Sequence, residues 1–67
     1  MTYPHAPIPA FRLALLERMQ SVAEGYRALG DEIAAAGAAN WAATIPPGAV
    51  EACERVLAER QAARGAA

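Results

Sequence analysis

The chain contains very few of the residues that most small domains use for covalent or metal cross-links. It has one cysteine, Cys53, and one histidine, His5, in 67 residues. A lone cysteine cannot form a disulfide within the chain, and a structural zinc site needs about four convergent ligands. Because a domain of this size is marginally stable without such cross-links, we expect self-association or a partner protein to contribute stability.

The sequence also lacks a large excess of either charge and any long apolar run. The net charge is −1, and all six basic residues are arginine, which is typical of a GC-rich bacterial genome. Nucleic-acid binders usually carry a basic patch, and a membrane helix needs about 20 consecutive apolar residues. Neither is present, and the N-terminal stretch lacks the basic residues and apolar run of a secretory signal. We therefore predict a cytoplasmic protein that binds neither nucleic acid nor membranes.

The residues needed for catalysis are equally sparse. There is no glycine-rich phosphate loop, and Cys53 has no histidine at helical spacing. Cys53 falls on an apolar helix face, where a free cysteine usually acts as a small hydrophobic residue. We predict that the protein is not an enzyme and that it binds neither a cofactor nor a metal. The remaining enzymatic hypothesis is a site formed only in an oligomer, with Glu51, Glu54 and Arg55 as its residues.

The N-terminal residues form an arm distinct from the rest of the chain. Pro4, Pro7 and Pro9 lie within six positions. Proline removes a backbone donor and pushes the preceding residue towards extended geometry. The prediction for residues 1–9 is an extended, proline-rich arm.

Beyond the arm, apolar residues recur at alternating spacings of four and three. This is the spacing of a coiled-coil face, and it predicts a first helix over about 10–36. An alternative is a break at "LGDE" with Asp31 capping a new helix. The in-phase step from Leu29 to Ile33 favours the single helix. The apolar face, here called the seam, is the predicted interface and consists of Phe11, Leu15, Met19, Val22, Tyr26, Leu29, Ile33 and Trp41.

A junction over 37–46 separates this helix from a second one over about 47–64. The first helix ends either near Gly37, a residue suited to a left-handed cap, or near Ala43. Pro46 disfavours helical geometry at the residue before it, and Pro47 suits the first turn of the next helix. Residues 65–67 are predicted to fray, so the helical domain spans 10–64.

The predicted fold is all-α, a two-helix αα-hairpin with room for a short third helical turn in the connection. The first helix is longer than the second, so part of its seam would stay uncovered in a monomer. Such a stripe usually marks an interface. We expect a homodimer or a partner protein to complete the bundle. Trp41 would then be an aromatic anchor at the open end of the hairpin, closing its own core or a partner's.

The predicted function is a small, non-enzymatic protein–protein interaction module that acts as an accessory or regulatory subunit through the seam. The alternative is a phage- or plasmid-type inhibitor or antitoxin that binds and blocks a host enzyme. Small size and a helical build suit both hypotheses.

Overall fold

The structure, a computed structural model, describes residues 9–66. The regular elements in this range are three helices, α1 (Ala10–Ala28), α2 (Glu32–Trp41) and α3 (Pro47–Ala66). The predicted all-helical class is confirmed. The predicted N-terminal arm, apart from Pro9, and the last residue of the chain lie outside the described range.

The first helix begins where the sequence predicts. Pro9 is extended, with φ −56° and ψ 145°. Its carbonyl accepts hydrogen bonds from the backbone N–H groups of Arg12 and Leu13, at 2.9 and 3.1 Å. The last proline of the arm therefore starts α1 without occupying a helix interior, where its ring would be excluded.

A tight turn divides the predicted first helix into two. Gly30 has φ 81°, in the left-handed region that side chains disfavour. Its N–H donates to the carbonyl of Arg27, and the N–H of Asp31 donates to the carbonyl of Tyr26, each at 3.0 Å. These are the two hydrogen bonds of a Schellman motif, which ends α1 and reverses the chain.

Asp31 then starts α2. One of its carboxylate oxygens accepts a hydrogen bond from the N–H of Ala34 at 2.9 Å, which is a typical N-cap. The prediction of a single helix over 10–36 is therefore wrong. The alternative break at "LGDE", with Asp31 as the cap, is the one that occurs.

Alanines hold α2 against α1. Ala35, Ala38 and Ala42 are buried, while Ile33 is 88% exposed. The turn changes the direction of the chain, so α2 contacts α1 through a different face from the one on which Ile33 continues the seam spacing. Small side chains let the two helix backbones approach closely, and the larger Ile33 points to solvent.

α2 ends at Trp41, between Gly37 and Ala43, the two positions considered for the end of the helix before the junction. Ile45, in the connection to α3, is completely buried. Pro47 is the first residue of α3, as predicted, and this helix continues to Ala66, past the predicted end at 64.

The direction of α3 follows from its contacts with α1. Arg12 donates to the carbonyl of Ile45 at 2.7 Å, and Arg64 donates to the carbonyl of Ala28 at 3.2 Å. Residue numbers rise together along both elements, so α1 and α3 run in the same direction. The two long helices therefore do not form the predicted hairpin, because the antiparallel neighbour of α1 is α2.

The core lies along α1, which packs against both other helices. Within the described range, α2 and α3 do not pack against each other, and the Cα atoms span only 12 Å along the thinnest axis. The result is a thin layer with α1 at its centre. Its buried residues are Leu15, Met19, Val22, Ala23, Tyr26, Ala35, Ala38, Ala42, Ile45, Val50 and Leu57.

Candidate protein-interaction surface

Half of the predicted interface is covered within the chain itself. Leu15, Met19, Val22 and Tyr26 are buried in the core, and Leu29 is half-buried beside it. These residues do share one face of α1, as the seam spacing implies. In this conformation α2 and α3 occupy that face, so it is not open to another protein.

The remaining seam residues are exposed but lie apart. Phe11, at the start of α1, is 62% exposed, and Trp41, at the end of α2, is 44% exposed. Ile33 is the most exposed large apolar residue in the described part of the chain. The seam is therefore not one continuous surface, because the turn at Gly30 separates its two ends.

One face of α2 keeps the apolar spacing and points away from α1. Ile33, Gly37 and Trp41 follow each other at intervals of four, which places them in one row along the helix. This row, here called the α2 outer face, is interrupted only by Gly37, where an added Cβ would meet nothing within 4 Å. The face is open along its whole length.

The surroundings of the α2 outer face are uncharged. From Ile33 to Val50 the sequence contains no acidic or basic residue, whereas α1 and α3 carry charges throughout. Depletion of charge with an exposed aromatic residue is the compositional pattern of interface cores. Sequence reasoning assigned Ile33 and Trp41 to an interface but attributed the surface to the wrong helix.

Two other exposed apolar residues stand alone. Leu13 on α1 and Val56 on α3 are each 46% exposed. Leu13 shares its face with the charged Glu17 and Glu24 at helical spacing, so it does not extend an apolar surface. Isolated exposed residues of this kind are ordinary in folded proteins.

Arginine side chains connect α1 to α3. Arg18 makes a bidentate ion pair with Glu54, and its Nε donates to that carboxylate at 3.0 Å. The Arg18 guanidinium holds the pKa of Glu54 below its ordinary value. Within the single chain, Glu54 thus takes part in a contact between α1 and α3. Sequence spacing could not reveal this pair, because its members lie far apart in the chain.

A second polar cluster joins all three helices near the α1–α2 turn. Arg60 of α3 lies 2.8 Å from a carboxylate oxygen of Asp31, and its guanidinium carbon is 5.2 Å from the centre of the Tyr26 ring. The hydrogen bond from the N–H of Ala34, followed by that from Arg60, lowers the pKa of Asp31. Asp31 therefore caps α2 and anchors α3 with the same carboxylate.

Acid should weaken this arrangement. The pKa values of Asp31 and Glu54 are lowered by folding, so their stabilisation is present above the ordinary values of 3.8 and 4.5 and is lost as pH falls through the folded values. We expect the urea midpoint to fall below about pH 4, and to fall less in an Asp31→Asn, Glu54→Gln variant. An equal fall in both proteins would assign the acid sensitivity to other groups.

The described residues contain no group of three His, Cys, Asp or Glu residues placed to bind a metal, and their surface has no pocket. Cys53 is a free, half-buried thiol on α3. None of the helices in residues 9–66 is long and apolar enough to cross a membrane.

Comparison of the chain with protein-family models, with curated proteins and with solved structures gave no match in any of the three.

Proposed function

We propose that the protein is a non-enzymatic interaction module that acts as an accessory or regulatory subunit by inserting α2 into an apolar groove of a partner protein. The observation that carries this proposal is the α2 outer face, an exposed row of Ile33, Gly37 and Trp41 within an uncharged stretch. A helix that presents apolar residues at such spacing is the ligand in helix-in-groove recognition.

The size of α2 argues for a partner that surrounds it. The helix has 10 residues, which corresponds to about 15 Å at the standard rise. A stable interface buries about 800 Å² on each partner, more than one short helix gains by lying beside its own copy. A groove contacts the helix on several sides, so it covers more of Ile33 and Trp41.

The test introduces a charge into the α2 outer face. Ile33→Lys should leave the fold intact, since Ile33 is 88% exposed, and should weaken partner binding by about 2 kcal/mol or more, the size expected of a central interface residue. Leu13→Lys is the matched control, because it adds the same charge at an exposed aliphatic position on another helix. Both variants and the wild type would be used for parallel affinity capture from the native host.

The expected result is a stoichiometric protein retained by the wild type and by Leu13→Lys but lost with Ile33→Lys. Binding of that purified protein should shift the emission of Trp41, the only tryptophan, to shorter wavelength. Equal retention by both variants would contradict the proposal. Size-exclusion light scattering could instead show that the wild type is a dimer and that Ile33→Lys is a monomer. That result would mean that the α2 outer face binds a second copy of the chain and not a partner's groove.

A further inference from the structure

Only the first half of α3 has buried apolar side chains that anchor it to the rest of the fold. Val50 and Leu57, in the first half, are buried against the core. From Ala58 to Gly65 every side chain is exposed. The second half therefore has no apolar anchor, although it lies beside α1 and the α1–α2 turn.

Two arginines provide the contacts that residues 58–65 do make. Arg60 pairs with Asp31 at 2.8 Å and covers the face of Tyr26, and Arg64 donates to the carbonyl of Ala28 at 3.2 Å. That carbonyl belongs to the last turn of α1, where the helix dipole favours a positive charge. Both contacts thus meet the fold at the point where α1 ends and α2 begins.

These contacts are accessible to ions in solution. The side chains of Arg60 and Asp31 retain 47% and 26% of their exposure. Partly exposed pairs are screened by salt, and the screening length falls from about 30 Å at 0.01 M to about 3 Å at 1 M. Salt also screens the Arg18–Glu54 pair in the first half of α3. The buried apolar anchors Val50 and Leu57 keep that half attached, so only residues 58–65 depend entirely on contacts that salt weakens.

We propose that residues 58–65 form an ionic latch, a segment that detaches from the α1–α2 turn when its arginine contacts are screened or removed, while the rest of the fold stays assembled. Detachment uncovers the ring of Tyr26, one of the seam residues that the closed conformation buries. The latch is independent of the α2 outer face, which points away from α1 in the closed conformation.

Amide hydrogen exchange, resolved by residue, tests the latch. Arg60→Gln should accelerate exchange of the 58–65 amides by about three- to tenfold at low salt, since it removes an ion pair and a cation–π contact. The amides of α1 and α2 should keep their wild-type rates. Arg55→Gln is the matched control: it removes the same charge from the same helix, and Arg55 makes no ion pair or hydrogen bond within residues 9–66.

Salt provides the second comparison. Raising sodium chloride from about 0.01 to 1 M should accelerate exchange of residues 58–65 in the wild type and in Arg55→Gln. The effect should be clearly smaller in Arg60→Gln, where the pair with Asp31 is already gone and only the Arg64 contact remains. Equal exchange in the two variants would overturn the proposal. So would equal salt dependence in all three proteins, or acceleration spread over every helix.

Discussion

Replacement of Met19 by alanine is expected to remove a large part of the protein's free energy of unfolding at 25 °C. Met19 is completely buried on α1, the helix that contacts both others. Truncation of a buried methionine to alanine costs about 2–5 kcal/mol, because the lost contacts leave a cavity. A domain of this size has a total stability of only about 3–10 kcal/mol.

Urea denaturation followed by circular dichroism measures this loss. Leu13→Ala is the control, because it makes a comparable truncation on the same helix at a residue that is 46% exposed. It should cost less than about 1 kcal/mol, since little contact is lost at such a position. Met19→Leu, which conserves volume, should cost less than about 1.5 kcal/mol. Equal destabilisation by Met19→Ala and Leu13→Ala would show that the core does not lie on this face of α1.

Several features of the fold could be predicted from local sequence signals. The end of the proline-rich arm gave the start of α1, and Pro47 gave the start of α3, because proline restricts the chain wherever it occurs. The apolar spacing also placed Leu15, Met19, Val22 and Tyr26 on one buried face. Each of these inferences depends only on residues close together in the chain.

The direction of the helices and the surface they leave open could not be predicted in the same way. The step of four from Leu29 to Ile33 looks the same whether the chain continues as one helix or reverses between them. Pairs such as Arg18 with Glu54 depend on which helices become neighbours. The identity of the exposed face follows from that choice, so Ile33 was assigned to a seam when it lies on the α2 outer face.

A pair of glycine substitutions tests the turn at Gly30, which the apolar spacing of the sequence disfavoured. Gly30→Ala is expected to destabilise the protein by about 1–2 kcal/mol, the cost of placing a side chain in the left-handed region. The φ of Gly30 is 81°, inside that region, and an added Cβ would meet nothing within 4 Å. The penalty is thus conformational and does not arise from a steric clash with a neighbour.

Gly37→Ala is the matched control and should act in the opposite direction. Gly37 lies inside α2 in open space, so alanine should stabilise the helix by about 0.8–1.0 kcal/mol through its higher helix propensity. Thermal and urea denaturation of both variants would give the sign of each effect. The result depends on chain topology: in one continuous helix over 10–36, Gly30 would be an interior helical residue, and Gly30→Ala would stabilise the protein. Stabilisation by Gly30→Ala would therefore restore the single helix and the long seam, whereas opposite signs for the two variants require the reversal that exposes Ile33.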